Sequence, residues 1–351
     1  MNFLDGSLFP ENQEKLVITA APYGPEWMPS DFPEDIPVTM EAQVQKAVDC
    51  YNAGATALHL HVRELDGKGS KRLSKFNELI AGVRAAVPEM IIQVGGSISF
   101  APEDDGSVAK WLSDDTRHML AELTPAPDQV TIAINTNQMN VVEQMCEADL
   151  AGTSLGTPEG YRAYREMTIP AGPEWVEEHI RRLSAKGIQT HFQLANTTQL
   201  ETVERMMRKG TCNVPLILTW VAIGGGFDAP NLYNLASFVR GCPDGSVLTL
   251  ESSMLNVLPL NMMAIAMGLH VRCGNEDNIW TQRRDRKMGS VEQIEQLVRI
   301  SREFGRDIAT AAQAREIYKI GTFYKDADET LAANGFSPNR RPVWKGVPQP
   351  A

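Results

Sequence analysis

The chain has 351 residues, 43% of them hydrophobic and 22% charged, with a formal net charge of −11. A core of useful size can be buried, so wholesale disorder is excluded. The acidic balance excludes the basic footprint that general nucleic-acid or anionic-membrane binding requires. Five cysteines, Cys50, Cys146, Cys212, Cys242 and Cys273, form no CxxC pair, which predicts free thiols in a reducing compartment. The opening MNFLDGSLFPENQEK lacks the basic-then-apolar order of a signal peptide. No window holds the roughly 18 uninterrupted apolar residues of a membrane span. The expectation is a soluble cytoplasmic protein with no membrane and no nucleic-acid partner.

In chain order, eight short apolar runs alternate with amphipathic stretches: Leu16–Ala20, Ala57–Val62, Met90–Val94, Gln129–Ile134, Gln189–Leu194, Val214–Val221, Val247–Leu250 and Leu269–Cys273. Strands alternating with helices mean βα units and a parallel sheet, and eight of them predict a closed (β/α)8 TIM barrel over residues 1–325. After Thr39, Met40, Val44, Ala47, Val48 and Tyr51 form one helical stripe that Gly54 can stop. After Ser74, read as an N-cap, Phe76, Leu79, Ile80, Val83 and Val87 repeat the pattern up to Pro88. Residues 100–115 and 151–173 are polar insertions expected to cap one end of the barrel. A C-terminal extension, 326–351, carries Phe336, Val343 and Trp344. These need a covering surface on the barrel or on a neighbouring subunit, and the prediction is a homo-oligomer, dimer or tetramer.

The sharpest motif is TALHLHVRELDG, residues 56–67. Strand side chains alternate faces, so Leu58, Leu60 and Val62 turn to the helices while His59, His61 and Arg63 turn to the barrel axis. Two imidazoles two residues apart can reach one cation, at the strand end where barrel enzymes keep their chemistry; the alternative is a pair of satisfied polar core residues. After the eighth strand comes HVRCGNEDNIW, residues 270–280. Its alternation turns Arg272 inward and sets Glu276 and Asp277 at the barrel mouth. Strand eight lies beside strand one and next but one to strand two, so Glu276 can complete a His₂Glu set with an open position. By themselves Glu276 and Asp277 also suit a helix N-terminus.

VITAAPYG, AGATALHLHVRELDGKGSKRL, PEMIIQVGG, HVRCGNEDNIW and ATAAQARE together resemble the β-keto acid cleavage enzymes, in order and spacing, over roughly residues 15–320. The resemblance implies a TIM barrel that binds Zn²⁺ and converts a β-keto acid plus acetyl-CoA into acetoacetate and a new CoA ester. It implies Zn²⁺ held by His59, His61 and Glu276, an acid–base pair of Arg272 and Asp277, and Thr131 helping to hold the reacting oxygen. The chain departs from the pattern on the third strand, where Gly95, followed by Gly96 and Ser97, stands where a serine is usual. On the fifth strand Gln193 replaces the glutamate of amine-accepting members, which argues against an amine-bearing substrate. The run Thr131–Asn135 replaces a more polar one.

Weaker signals complete the reading. Trp220 either stacks on substrate or fills the barrel top. Gly224–Gly226, with Gly225 at its centre, either lets backbone amides approach a phosphate or pantetheine, or makes a tight loop. The basic run QRRDRK at 282–287 either holds CoA phosphates or forms a solvated face. His191 is read as a polar core residue, and His118, His179 and Cys146 have no assigned role. Two competing functions remain. One is a metal-dependent hydrolase or lyase, although hydrolases of the HxH type place that motif on the first strand with further histidines on the fifth and sixth. The other is a non-catalytic zinc and small-molecule binding descendant of the enzyme, suggested by Gly95 and Gln193.

Overall fold

The computed structural model describes residues 6–95, 118–136, 138–169, 171–252 and 254–339. The predicted insertion at 100–115, and Val343 and Trp344, lie outside them. All eight predicted runs are strands: β1 (Ile18–Ala20), β2 (Ala57–Leu60), β3 (Ile91–Val94), β4 (Gln129–Ala133), β7 (Gln189–Leu194), β8 (Ile217–Ala222), β9 (Val247–Ser252) and β10 (His270–Cys273). They close in the order β1-β10-β9-β8-β7-β4-β3-β2, every pair parallel. This is a (β/α)8 barrel, with β10 beside β1 and next but one to β2. Two further strands, β5 (Gln138–Met139) and β6 (Met167–Thr168), pair antiparallel as a separate hairpin.

Alternation decides what each strand shows to each side. Leu58, Leu60 and Val62 join the outer core between sheet and helices, as do Val271 and Cys273. The intervening His59, His61 and Arg272 are buried inside the barrel. At its foot the Tyr318 hydroxyl meets Thr249 Oγ1 at 2.8 Å, and His270 Nδ1 accepts from Val17 N at 3.1 Å. A polar plug therefore closes the end opposite the site, leaving the C-terminal ends of the strands for chemistry.

The helix Met40–Ala53 starts on Thr39, whose hydroxyl accepts from Ala42 N, and stops at Gly54 with φ +119°, a conformation that suits glycine. The helix Leu73–Ala86 begins earlier than expected: Arg72 is its N-cap, and Ser74 lies within the first turn. A neighbouring serine supplies a hydroxyl instead, since Ser70 Oγ accepts from Arg72 N at 3.1 Å. The helix still ends ahead of Pro88, as the restriction on pre-proline residues requires. In the extension, the helix Ala327–Ala333 packs on Thr197–Lys209, and Asn334 accepts from Leu216 N at 2.7 Å while donating to Val214 O at 3.2 Å. All five cysteines are free thiols, four of them buried. Among the described residues no helix is long and apolar enough to cross a membrane.

Candidate active site

Inside the C-terminal mouth lies a cavity of about 110 Å³ whose wall includes His59, His61, Gly95, Thr131, Gln193, Arg272, Glu276 and Asp277. Three side chains converge there. His59 Nε2 and His61 Nε2 are 3.3 Å apart, and Glu276 Oε1 lies 3.3 Å from the first and 3.4 Å from the second. Three ligands bound at about 2.0–2.1 Å on one face of a tetrahedron stand about 3.3–3.4 Å apart, so the triangle has the size a small divalent ion requires. The proton inventory agrees. Gln93 Nε2 donates to Gln129 Oε1 at 3.1 Å, which turns Gln93 Oε1 toward His59 Nδ1 at 2.7 Å. That contact assigns the ring proton to Nδ1 and leaves the Nε2 lone pair facing Glu276. Burial and then Arg272 push His59 down to about 4, so its neutral form prevails. The His59 lone pair thus faces His61 Nε2 at 3.3 Å, and among the described residues neither His61 Nδ1 nor Glu276 Oε2 has a hydrogen-bond partner, so the triangle offers donor atoms that the protein leaves unmet. The residues present therefore fit a metal ion, with Gln93 orienting its His59 ligand.

Beside the triad, Arg272 gathers three buried carboxylates. Its Nε donates to both Asp277 oxygens at 3.1 Å and its NH2 to Asp277 Oδ1 at 2.7 Å and Glu276 Oε1 at 2.6 Å. Its NH1 lies 3.1 Å from Glu251 Oε2. Burial pushes Asp277 up to about 7, and Arg272 pulls the other way without winning. Burial would raise Glu276 too, but Arg272 and the two imidazoles hold it well below the usual carboxylate range. Burial likewise pushes Glu251 up to about 8, against the pull of Arg272.

The other predicted residues divide. Thr131 Oγ1 faces the cavity and donates to Val94 O at 3.3 Å. Gln193 Nε2 donates to Glu251 at 3.3 Å. A Cβ on Gly95 would stand 2.5 Å from His61 Nε2 and 2.6 Å from His59 Nε2, so the imidazoles occupy the space that a side chain there would fill. Gly96 and Ser97 lie outside the described residues. Trp220 is outside the cavity wall: on β8 it takes the outer parity, fully buried against Phe238, and Val221 lines the cavity instead. Gly225, with φ +65°, gives its amide to Glu143 Oε2 at 2.6 Å and packs against Asn140 O, which makes it part of a tight loop. Within the basic run Arg284 pairs with Asp149, Arg286 with Glu292 and Lys287 with Asp31 O, while Arg283, Arg284 and Arg286 are exposed to solvent. Arg63 also leaves the cavity, donating to the carbonyls of Gly24, Trp27 and Gly67. His191 bonds Thr219 Oγ1 at 2.8 Å, below the triad.

Three residues of the site escape a reading of the sequence. Glu251 follows the inward parity of Thr249, but the apolar run ends one residue before it. Gln93 pairs in register with His59 across β2 and β3, a relation visible only once the strands are aligned. Glu26 sits on the loop after β1, beside Glu276, with its Oε2 buried and unpartnered; no local pattern marks it.

The chain is 28% identical over 308 residues to the 3-keto-5-aminohexanoate cleavage enzyme of Acetoanaerobium sticklandii, covering 88% of this chain and 99% of that one. It is 24% identical over 287 residues to the 3-oxoadipate:acetyl-CoA acetyltransferase of Cupriavidus necator, covering 80% and 87%. Among solved structures, a binary complex of ObcA with oxaloacetate superposes with a TM-score of 0.59 at 15% identity, over 82% of this chain and 67% of that one, a likeness of fold alone. A family model for beta-keto acid cleavage enzyme matches residues 15–320, and this chain, with its triad and its Arg272–Asp277 pair inside a closed barrel, belongs to that family.

Proposed function

We propose that the protein transfers the acyl group of a β-keto acid to CoA, using acetyl-CoA as co-substrate and releasing acetoacetate. The observation that carries this reading is the meeting of the His59–His61–Glu276 triangle and the Arg272–Asp277 pair in one cavity, in a chain of this family. A divalent ion at the triangle, Zn²⁺ in our reading, would polarise the 3-keto oxygen and favour the enolate. Asp277 removes the C2 proton; a carboxylate near 7 accepts a carbon-bound proton more readily than an ordinary one. Arg272 grips both Asp277 oxygens and so fixes the direction of attack. Thr131 turns its hydroxyl from Val94 O to the reacting oxygen. The C2 carbanion displaces CoA thiolate from acetyl-CoA. The thiolate adds to the original C3 carbonyl, the C2–C3 bond breaks, and Asp277 returns its proton to C2 of the departing acetoacetate.

The test is mass spectrometry of CoA esters formed by the zinc-loaded protein from acetyl-CoA and a panel of β-keto acids. A new ester with equimolar acetoacetate is expected. In Asp277→Asn, metal content is expected to persist while turnover falls by roughly 10²–10⁴, the usual contribution of a general base. An Asp277→Asn protein that turns over normally sinks the mechanism.

A further inference from the structure

The acid and keto ends of any β-keto acid are alike, so what distinguishes one substrate from another is the arm beyond C3. Resting on the acyl-transfer reading, we infer that this chain takes β-keto acids whose arm is uncharged and apolar, a short alkyl chain, and that the β5–β6 hairpin supplies the wall that selects it.

Met139 and Met167 are register partners in the antiparallel pair, so their side chains stand opposite each other on one face. Both line the cavity, as does Ile169, while Gln138 and Thr168, of the other parity, are exposed. Val141 and Ile223 join them, so the hairpin and the end of β8 make one apolar surface. Methionines facing each other form a wall that adapts to chains of different length. Among the described residues of the wall the one cation, Arg272, is already flanked by Asp277, Glu276 and Glu251 at 3.1 Å or less; its NH1 makes no aligned hydrogen bond, but a second carboxylate on the arm would have to displace Glu251 to reach it. An ammonium on the arm meets the neutral carboxamide of Gln193. Of the two carboxylates left, Glu251 is engaged by Arg272 and Glu26 stands at the ligand end beside Glu276. A charge on the arm would thus be buried without a partner.

The experiment compares kcat/KM for 3-oxopentanoate, 3-oxohexanoate and 3-oxooctanoate with 3-oxoadipate and 5-amino-3-oxohexanoate, all with acetyl-CoA. Among the alkyl acids kcat/KM should rise about fourfold per methylene until the wall is filled. Both charged acids should fall at least about 100-fold below 3-oxohexanoate. Met167→Arg should raise 3-oxoadipate relative to 3-oxohexanoate; the panel on the unsubstituted protein decides even if that variant fails to fold. A charged acid that matches or beats 3-oxohexanoate, or alkyl acids without length dependence, overturns the inference. Calorimetric binding of the same acids to the metal-loaded protein separates the two readings. Tighter binding of alkyl acids without any CoA ester sinks the acyl-transfer reading and keeps this one. Equal or tighter binding of the charged acids, or no binding of any, overturns this one.

Discussion

Gln93 lies on β3 and Gly95 directly follows that strand, and each controls histidine geometry by a different physical means. Gly95 has an ordinary backbone conformation, so an alanine there is not strained by its dihedrals; it is excluded by the two Nε2 atoms within 2.6 Å of its would-be Cβ. Gly95→Ala is therefore expected to spread His59 and His61 and to lower zinc affinity at least about tenfold, read by titration against a zinc chelator. Unchanged affinity would mean that the rings retreat without loss of the ligand triangle. Gln93→Leu removes the acceptor that keeps the His59 proton on Nδ1. Outer partners of metal ligands are worth about 10–100-fold in affinity, and a loss of that size is expected from the same titration. Wild-type affinity in the leucine variant would show that packing alone orients the ring. These two positions also mark how far the sequence speaks. His59, His61, Arg272, Glu276 and Asp277 are legible because strand parity and the order of barrel strands bring them together. Trp220 misleads because its size draws attention, whereas its parity, shared with Leu218 and Ala222, turns it outward. Glu26 is silent, since a loop residue has neither parity nor period.

At the scale of elements, the barrel strands announce themselves through short apolar runs, and the structure returns all eight with shifts of up to three residues at their ends. The hairpin does not. Its strands are two residues each, too short for any alternation to show, and 151–173 reads only as an insertion. What holds it over the cavity is a set of tertiary anchors. Buried Asp31 accepts from Met28 N at 2.7 Å and from Ser154 N and Oγ at 2.5 Å. Trp280 Nε1 donates to Asp149 O at 3.1 Å, tying the insertion to the loop that carries Glu276 and Asp277. Asp31→Ala leaves the Met28 and Ser154 amides without their acceptor, a cost of about 1–3 kcal/mol. A melting temperature lower by a few degrees is expected, together with a raised KM for the keto acid and unchanged metal content. A variant with the wild-type KM would show that the wall keeps its place without this anchor, and the hairpin would lose its claim to shape the substrate site.

Across the whole molecule, the barrel separates a reactive mouth from a sealed foot, and its buried groups respond to pH in opposite directions. At the mouth, burial pushes Glu251 up to about 8. In the unfolded chain it titrates near 4.3, so its contribution to stability is present at low pH and is lost as pH rises through about 8. At the foot, burial pushes His270 down to about 3, with Arg306 acting the same way, while its Nδ1 lone pair is held by Val17 N. Unfolded, the ring titrates near 6.5. Above that value both states are neutral and nothing is lost. Below it the unfolded chain takes up a proton that the fold refuses, and stability falls by up to about 1.4 kcal/mol per pH unit until about pH 3. His191, also pushed down to about 3 by burial, acts in the same direction. Total stability against pH is therefore a sum of opposed terms, and only a difference isolates one of them. His270→Asn is neutral throughout the range and can offer its carboxamide oxygen to Val17 N. Its packing cost is a constant offset, whereas the titration it removes is a slope. Between pH 6 and pH 4 the melting temperature of the wild type should fall more steeply than that of His270→Asn, measured on both proteins in the same buffers. Parallel slopes would place the acid sensitivity elsewhere, with His191 as the next group whose neutral form the fold demands.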